Sequence, residues 1–142
     1  LALQFSEPLK AFELGQLASG FFRPTTSSNA WVASKHDTSP RLDYAWDTEQ
    51  KIREIVLHFD TDFDHAMETA QWGHPEDVMP FCVREYVIRD ADGHELHRVT
   101  GNHQTINRIR FNVPVTTKGL SLELAHPSEF VPASLFGIRI YQ

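Results

Sequence analysis

The segment FDTDFDH, residues 59–65, places three aspartates and one histidine within a few positions of each other. Carboxylate oxygens are preferred ligands of Ca²⁺ and Mg²⁺, and a histidine nitrogen suits Zn²⁺. The spacing, however, matches neither an EF-hand loop nor the H-E-x-x-H zinc motif. We therefore predict no metal here, and we expect the aspartates to accept hydrogen bonds from loop amides at the end of a strand.

Two tryptophans are candidates for ligand contact, because a flat amphipathic ring can stack on the apolar face of a sugar. We interpret Trp31 mainly as a structural residue, whereas Trp72 fits ligand contact and structure equally well. Cys82 has apolar neighbours in the sequence, which is typical of a small buried hydrophobe rather than a nucleophile. No motif pairs a nucleophile with a base, so we predict no catalytic residue.

The elements that must position these side chains are mainly β-strands. Apolar and polar residues alternate over 55–59, 109–113, 120–124 and 136–140, which predicts strands with one buried face. The Asp92-Gly93 pair predicts a hairpin turn between strands at 83–90 and 95–99. Weaker strands are expected at 20–23 and 41–46, and short helical turns near residues 9–17 and 65–71. Many short strands with little helix predict a β-sandwich or jelly roll.

Antiparallel connections would bring every second loop to the same end of such a sandwich. These loops are 24–40, 61–82, 100–105 and 126–135, and the first two are long, which is typical of functional loops. We therefore predict a polar and aromatic rim at this end that makes ligand or interdomain contacts. Its expected contact residues are Trp72, His74, Asp62, His65, Asn102, His103 and His36.

Composition excludes several classes of partner. The chain has 142 residues, 13 Lys and Arg against 19 Asp and Glu, and no basic stripe in its sequence, so we predict no nucleic-acid partner. No run approaches the roughly 18 apolar residues of a membrane helix, so we predict no membrane span. The single cysteine allows no internal disulfide and leaves the compartment open.

Several segments resemble the discoidin-like (galactose-binding-like, coagulation factor 5/8 type C) β-sandwich. They are N-A-W at 29–31, V-R-E-Y-V-I-R-D-A-D-G-H-E-L at 83–96 and F-G-I-R-I-Y at 136–141. The resemblance implies an all-β, discoidin-like jelly-roll β-sandwich of about eight antiparallel strands over residues 18–142, with 1–17 as a lead-in segment. Many relatives hold a structural Ca²⁺ with a Glu in the last strand. Gly137 stands at the matching position, so we expect no such Ca²⁺ site here.

Sharper similarities point to a particular setting for this sandwich. R-P-T-T-S-S-N-A-W at 23–31, F-D-T-D-F-D-H-A-M-E at 59–68, G-H-P-E-D-V-M-P-F-C-V-R at 73–84 and N-H-Q-T-I-N at 102–107 resemble the C-terminal domain of bacterial FAD-dependent oxidoreductases. The resemblance implies that FAD binds another part of a parent chain. This segment has no G-x-G-x-x-G and no βαβ pattern that could bind it.

The main hypothesis is therefore a non-catalytic accessory module that docks on the flavin domain of its parent chain or assists substrate recognition. The alternative is a free carbohydrate-binding module that uses one loop rim. A metal-dependent hydrolase is the least favoured reading. Exposed aromatics beside hydrogen-bonding side chains in a concave rim would favour the carbohydrate. A flatter and more apolar rim would favour docking, and apolar residues of the long loop such as Met79 and Phe81 favour it slightly.

Overall fold

The structure is a computed structural model that describes residues 11–23, 25–61 and 79–142. Its elements are a 3-10 helix at Leu14–Ala18 and strands β1 (Trp31–Val32), β2 (Arg41–His58), β3 (Tyr86–Asp90), β4 (Glu95–Val99), β5 (Ile106–Leu124), β6 (Ser134–Leu135) and β7 (Gly137–Tyr141). All pairings are antiparallel, in a two-stranded sheet β1-β6 and a five-stranded sheet ordered β4-β3-β5-β2-β7. The predicted all-β sandwich is confirmed.

The centre of the fold is the long antiparallel pair β2 and β5, which runs from Arg41 opposite Glu123 to His58 opposite Ile106. Two irregularities interrupt its register. At one of them β2 has only residue 53 between its paired residues, whereas β5 has residues 111–114. Pro114 lies in this extra stretch, where its missing N–H costs no ladder hydrogen bond. Such irregularities bend and twist a strand pair.

The bend folds β5 back on itself. The backbone of Tyr86 pairs with Leu124 near the end of β5, yet its hydroxyl donates a hydrogen bond to Asn107 near the start, at 2.9 Å. A straight strand would separate residues 107 and 124 by about 56 Å at about 3.3 Å per residue. The two halves of the ribbon must therefore face each other across the core. The Tyr86 ring contacts Phe59 there, with centroids 5.3 Å apart.

The core is built from the predicted alternating positions. Ile55 and Leu57 of β2, Ile109, Leu120, Leu122 and Leu124 of β5 and Ile88 of β3 are all buried in one hydrophobic cluster. Leu17 of the 3-10 helix is buried in the same cluster, so the segment just before residue 18 packs on the sandwich. No helix of the described residues is long and apolar enough to cross a membrane.

Some predicted elements differ from the structure. Residues 109–113 and 120–124 belong to one continuous strand, as do 41–46 and 55–58, because the bulges bend the strands without ending them. Residues 20–23 form no strand, and the described part of the turn predicted near residues 9–17 is a 3-10 helix at Leu14–Ala18. The predicted hairpin is confirmed: Gly93 has a positive φ of 85°, and its N–H donates to the Asp90 carbonyl. The helical turn predicted at 65–71 lies outside the described residues.

Candidate functional site

The described parts of the loops that were predicted to share one end of the sandwich do meet. Nε2–H of His126 donates to the carbonyl of Asp37 at 2.6 Å, and Nδ1 accepts the N–H of Ala133 at 2.9 Å. The imidazole therefore carries its proton on Nε2 and joins the loop before β2 to the loop before β6. The Ala125 N–H also donates to the carbonyl of Glu85, which adds the segment before β3 to the same cluster.

Asn102 fastens two further loops together. It is buried, and its Nδ2 donates to the carbonyl of Val83 at 3.0 Å and contacts Sγ of Cys82 at 3.4 Å. Its Oδ1 accepts the N–H of Gln104 at 3.0 Å and Nδ2 of Asn107 at 2.9 Å. Protein groups thus occupy both ends of the side-chain amide. We assign Asn102 a structural role, and its predicted contact with a ligand stays a prediction.

The described part of FDTDFDH, residues 59–61, directly follows the last residue of β2, His58. Phe59 is fully buried and its N–H donates to the Thr105 carbonyl. The Thr61 hydroxyl is 2.6 Å from the hydroxyl of Thr105, so this segment is tied to the loop before β5. Asp60, which lies between Phe59 and Thr61 in the sequence, is half-buried. The predicted contact residues Asp62, His65, Trp72 and His74 lie outside the described residues.

The other two predicted contact residues are exposed histidines. His103 lies in the loop before β5, where its Nδ1 is 3.3 Å from the Gly101 carbonyl. His36 lies in the loop before β2, and its N–H donates to the hydroxyl of Ser34 at 3.3 Å. Both side chains reach solvent at the loop end, and no contact between them is present among the described residues. Their role in binding stays a prediction.

An apolar cleft that the sequence did not reveal opens between the loops. Its volume is about 300 Å³. Phe12, Phe81, Phe130 and Phe136 supply aromatic walls, and Ser28, Asp60 and Ser134 supply polar groups. Phe130 is 81% exposed and Phe81 37% exposed, which leaves rings available to a ligand. These residues come from distant parts of the chain, so no local spacing marked them.

Burial also sets the chemistry of Cys82 beside the cleft. Burial, and then the negative charge of Asp60, raise the pKa of its thiol to about 11. The thiol therefore stays protonated at neutral pH and is a poor nucleophile or metal ligand. This agrees with its interpretation as a small buried hydrophobe.

The Ca²⁺ site that the resemblance implies does not fit the residues present at Gly137. Gly137 offers no side-chain oxygen, and a Cβ built there would lie 2.5 Å from the ring of Phe22. That ring stacks on His58 with centroids 3.8 Å apart, and the guanidinium of Arg139 lies 4.4 Å from its centre. The ring of Phe22 thus occupies the space into which a side chain at position 137 would extend.

A second cluster of potential metal ligands lies at the tip of the β3–β4 hairpin. Ligand atoms of Asp90, Asp92 and His94 lie within 4.8 Å of one another. Oδ1 of Asp90 accepts the backbone N–H groups of Asp92 and His94, at 2.9 and 2.8 Å, and Oδ2 is 3.0 Å from Nδ1 of His94. These bonds account for the cluster as part of a turn.

Comparison with solved structures identifies the fold class. The chain is similar to a family 32 carbohydrate-binding module of Streptococcus pneumoniae EndoD, with a TM-score of 0.67 and 14% identity over 97% of this chain and 90% of that one. It is also similar to chitosan-binding module 1 of a chitosanase/glucanase from Paenibacillus sp. IK-5, with a TM-score of 0.63 and 14% identity over 94% and 87% of the two chains.

A third similar structure is the family 32 module of C. perfringens NanJ in complex with galactose, with a TM-score of 0.61 and 13% identity over 94% of this chain and 90% of that one. Neither a protein-family model nor a curated protein sequence matches the chain. At these identities the similarity shows a shared fold. The chain has the discoidin-like, galactose-binding-like jelly-roll sandwich that its sequence motifs resemble.

Proposed function

We infer that this chain is a carbohydrate-binding module whose binding site is the cleft walled by Phe12, Phe81, Phe130 and Phe136. The observation that carries the proposal is the combination of exposed aromatic rings with polar side chains in one concave site. Sugars present apolar C–H faces and polar hydroxyl edges, so they need both kinds of wall.

The size and position of the cleft support this proposal. A volume of about 300 Å³ lies at the lower end of ligand sites, which hold about 300–1,000 Å³, and suits one or two sugar rings. The loops around it are cross-linked by Asn102 and His126, so its walls are held in place before a ligand arrives. A preorganised site loses less entropy on binding. The three similar structures described above are sugar-binding modules, which favours the same use of the fold.

The test is calorimetric titration of the purified chain with panels of neutral and acidic oligosaccharides. We expect Phe130→Ala to raise the Kd of a bound sugar about ten-fold or more, because an exposed aromatic anchor is lost. Phe21→Ala is the matched control, since Phe21 is also exposed but does not line the cleft. No binding of any sugar, or equal effects of the two substitutions, would contradict the proposal.

A second candidate function is docking on a catalytic domain of a longer parent chain, as the similarity to the C-terminal domain of FAD-dependent oxidoreductases implies. The observation that favours it is the exposure of Phe130 and Phe12 in a cleft with mainly apolar walls. A partner surface could cover these rings. FAD itself stays a prediction for another part of the parent.

Docking would be tested in the parent protein. Phe130→Ala should separate the two domains in a cross-linking assay, and flavin reduction by an artificial donor should stay unchanged. If the substituted protein still cross-links as the wild type does but no longer binds sugar, the carbohydrate function is favoured over docking.

A further inference from the structure

The outer face of the β5-β2-β7 part of the sheet gathers arginines that are distant in sequence. The register places Arg108 and Arg139 on either side of Val56, and Arg110 and Tyr141 on either side of Glu54. Directly paired residues in a sheet point to the same face. Ile55 and Leu57 are buried in the core on the opposite face, so the arginines point outwards.

Side-chain contacts confirm that these residues form one surface. Oε1 of Glu54 lies 3.2 Å from Nε of Arg110 and 3.5 Å from Nη1 of Arg108. Arg139 lies over the ring of Phe22, which stacks on His58. We call the three arginines with Glu54 the arginine face. Three cations against one carboxylate leave two positive charges unbalanced among its described residues, in a chain whose formal net charge is −6.

The charges of this face are exposed to solvent, and they contribute to the pKa of a neighbouring histidine. The side chains of Arg108 and Arg110 are 56% and 74% exposed, so both can reach a ligand. Burial first, and then the positive charges of Arg139 and Arg108, lower the pKa of His58. The arginine face therefore keeps a positive potential that its single glutamate does not cancel.

The spacing of the arginines suits a ligand with repeated negative groups. Cα atoms two residues apart along β5 are about 7 Å apart, and those two strands apart are about 10 Å apart. Each planar guanidinium can form two parallel hydrogen bonds with a carboxylate or sulfate. A polymer that carries such a group on successive sugar rings could engage more than one arginine.

The arginine face adjoins the aromatic cleft. His58 ends β2 two residues before Asp60 of the cleft, and Phe136 of the cleft directly precedes Gly137, the partner of His58 in β7. Two ladder rows lie between the cleft residues and the row of Arg108 and Arg139, and of these only the row of His58 and Gly137 points to the outer face. A chain of several sugars in the cleft could extend along this face.

We propose that the arginine face binds the carboxylate or sulfate groups of an acidic oligosaccharide whose other rings occupy the cleft. This rests on the proposed carbohydrate-binding function and specifies its ligand class. Phe22 and His58 fix Arg139 in the row nearest the cleft, which it shares with Arg108, and Arg110 extends the face one outward row further along β5. Raising the salt concentration should weaken this binding, since screening acts on exposed charges.

The test compares Kd values for three oligosaccharides of similar length: an oligogalacturonate, a sulfated heparin fragment and a neutral galactan fragment. We expect Arg108→Gln and Arg110→Gln each to weaken binding of an acidic oligosaccharide about ten-fold, with the neutral one unaffected. Glu54→Gln should strengthen acidic binding, because it removes the only opposing charge among the described residues of the face. Arg41→Gln, on an exposed arginine paired with Asp43 elsewhere, is the matched control.

The outcomes separate this inference from the proposed function. Binding of the galactan alone would leave the carbohydrate function standing and overturn the acidic ligand. Acidic binding that survives both arginine substitutions would overturn the arginine face as its site. If none of the oligosaccharides binds, neutral or acidic, both the carbohydrate function and the acidic ligand are overturned. Equally tight, arginine-dependent binding of a single-stranded oligonucleotide would show general polyanion affinity, which contradicts selection of a saccharide. The difference between the oligogalacturonate and the heparin fragment identifies the preferred anion.

Discussion

Replacing Asn102 by Ala should lower the stability of the loop end, because this buried side chain joins the segment before β3 to the loop before β5. The substitution removes the bonds to the Val83 carbonyl, the Gln104 N–H and the Asn107 amide, all at 2.9–3.0 Å. At about 1 kcal/mol for each bond, the expected loss in the free energy of unfolding is about 3 kcal/mol. For a chain of this length that lowers Tm by roughly 10 °C.

Urea denaturation followed by tryptophan fluorescence measures this loss, with thermal unfolding as a second probe. Asn112→Ala is the control, since Asn112 is an exposed asparagine in β5 and should change stability by less than about 0.5 kcal/mol. Asn102→Asp should lose at least as much stability as Asn102→Ala at neutral pH, because a buried carboxylate oxygen would then face the Val83 carbonyl oxygen. A loss below about 1 kcal/mol for Asn102→Ala would refute the structural role, and a selective loss of ligand affinity would then restore its predicted contact role.

Three further predictions concern buried groups. Gly137→Ala should lower Tm by several degrees, because a methyl group would collide with the ring of Phe22. Since we expect no Ca²⁺ site at this position, a chelator should leave the Tm of the wild type unchanged. Stability should fall as the pH drops below about 6.5, because the unfolded chain protonates His58 before the folded one does. His58→Phe should flatten that part of the pH profile, and an unchanged profile would contradict the assignment. Cys82 should react with a thiol reagent at pH 8 only on unfolding, since its pKa is about 11 in the folded protein.

Much of the fold could be predicted because the patterns that specify it involve residues close together in the sequence. Alternation at Ile55–Leu57 or at Leu120–Leu124 predicts which side chains join the hydrophobic core, and Asp92-Gly93 predicts where a hairpin turns. The continuity of β5 could not be predicted in the same way. Pro114 and Gly119 normally indicate the end of a strand, but here Pro114 lies in a bulge. Gly119 is required because a Cβ would lie 2.7 Å from the carbonyl of Tyr44.

The candidate site was only partly accessible to sequence reasoning. Counting strands was sufficient to predict that the loops lie at one end of the sandwich. The hydrogen bonds of His126 and Asn102 confirm that arrangement for the described parts of these loops. Counting could not distinguish a polar side chain that faces solvent from one that fastens a loop. Asn102 and His103 are neighbours in sequence, yet one is buried with four side-chain contacts and the other is exposed.

The arginine face could not be predicted from the sequence either, because counting charged residues does not show which of them lie together. A count of charged residues describes an acidic chain with no basic stripe, because Arg108 and Arg139 are 31 positions apart in the sequence. Their proximity depends on pairing both β5 and β7 with the same stretch of β2. Screening over about 8–10 Å makes the local arrangement matter more to a ligand than the net charge does. An acidic protein can therefore present a surface that attracts anions, and a test of ligand charge must change single residues of that surface rather than the overall charge.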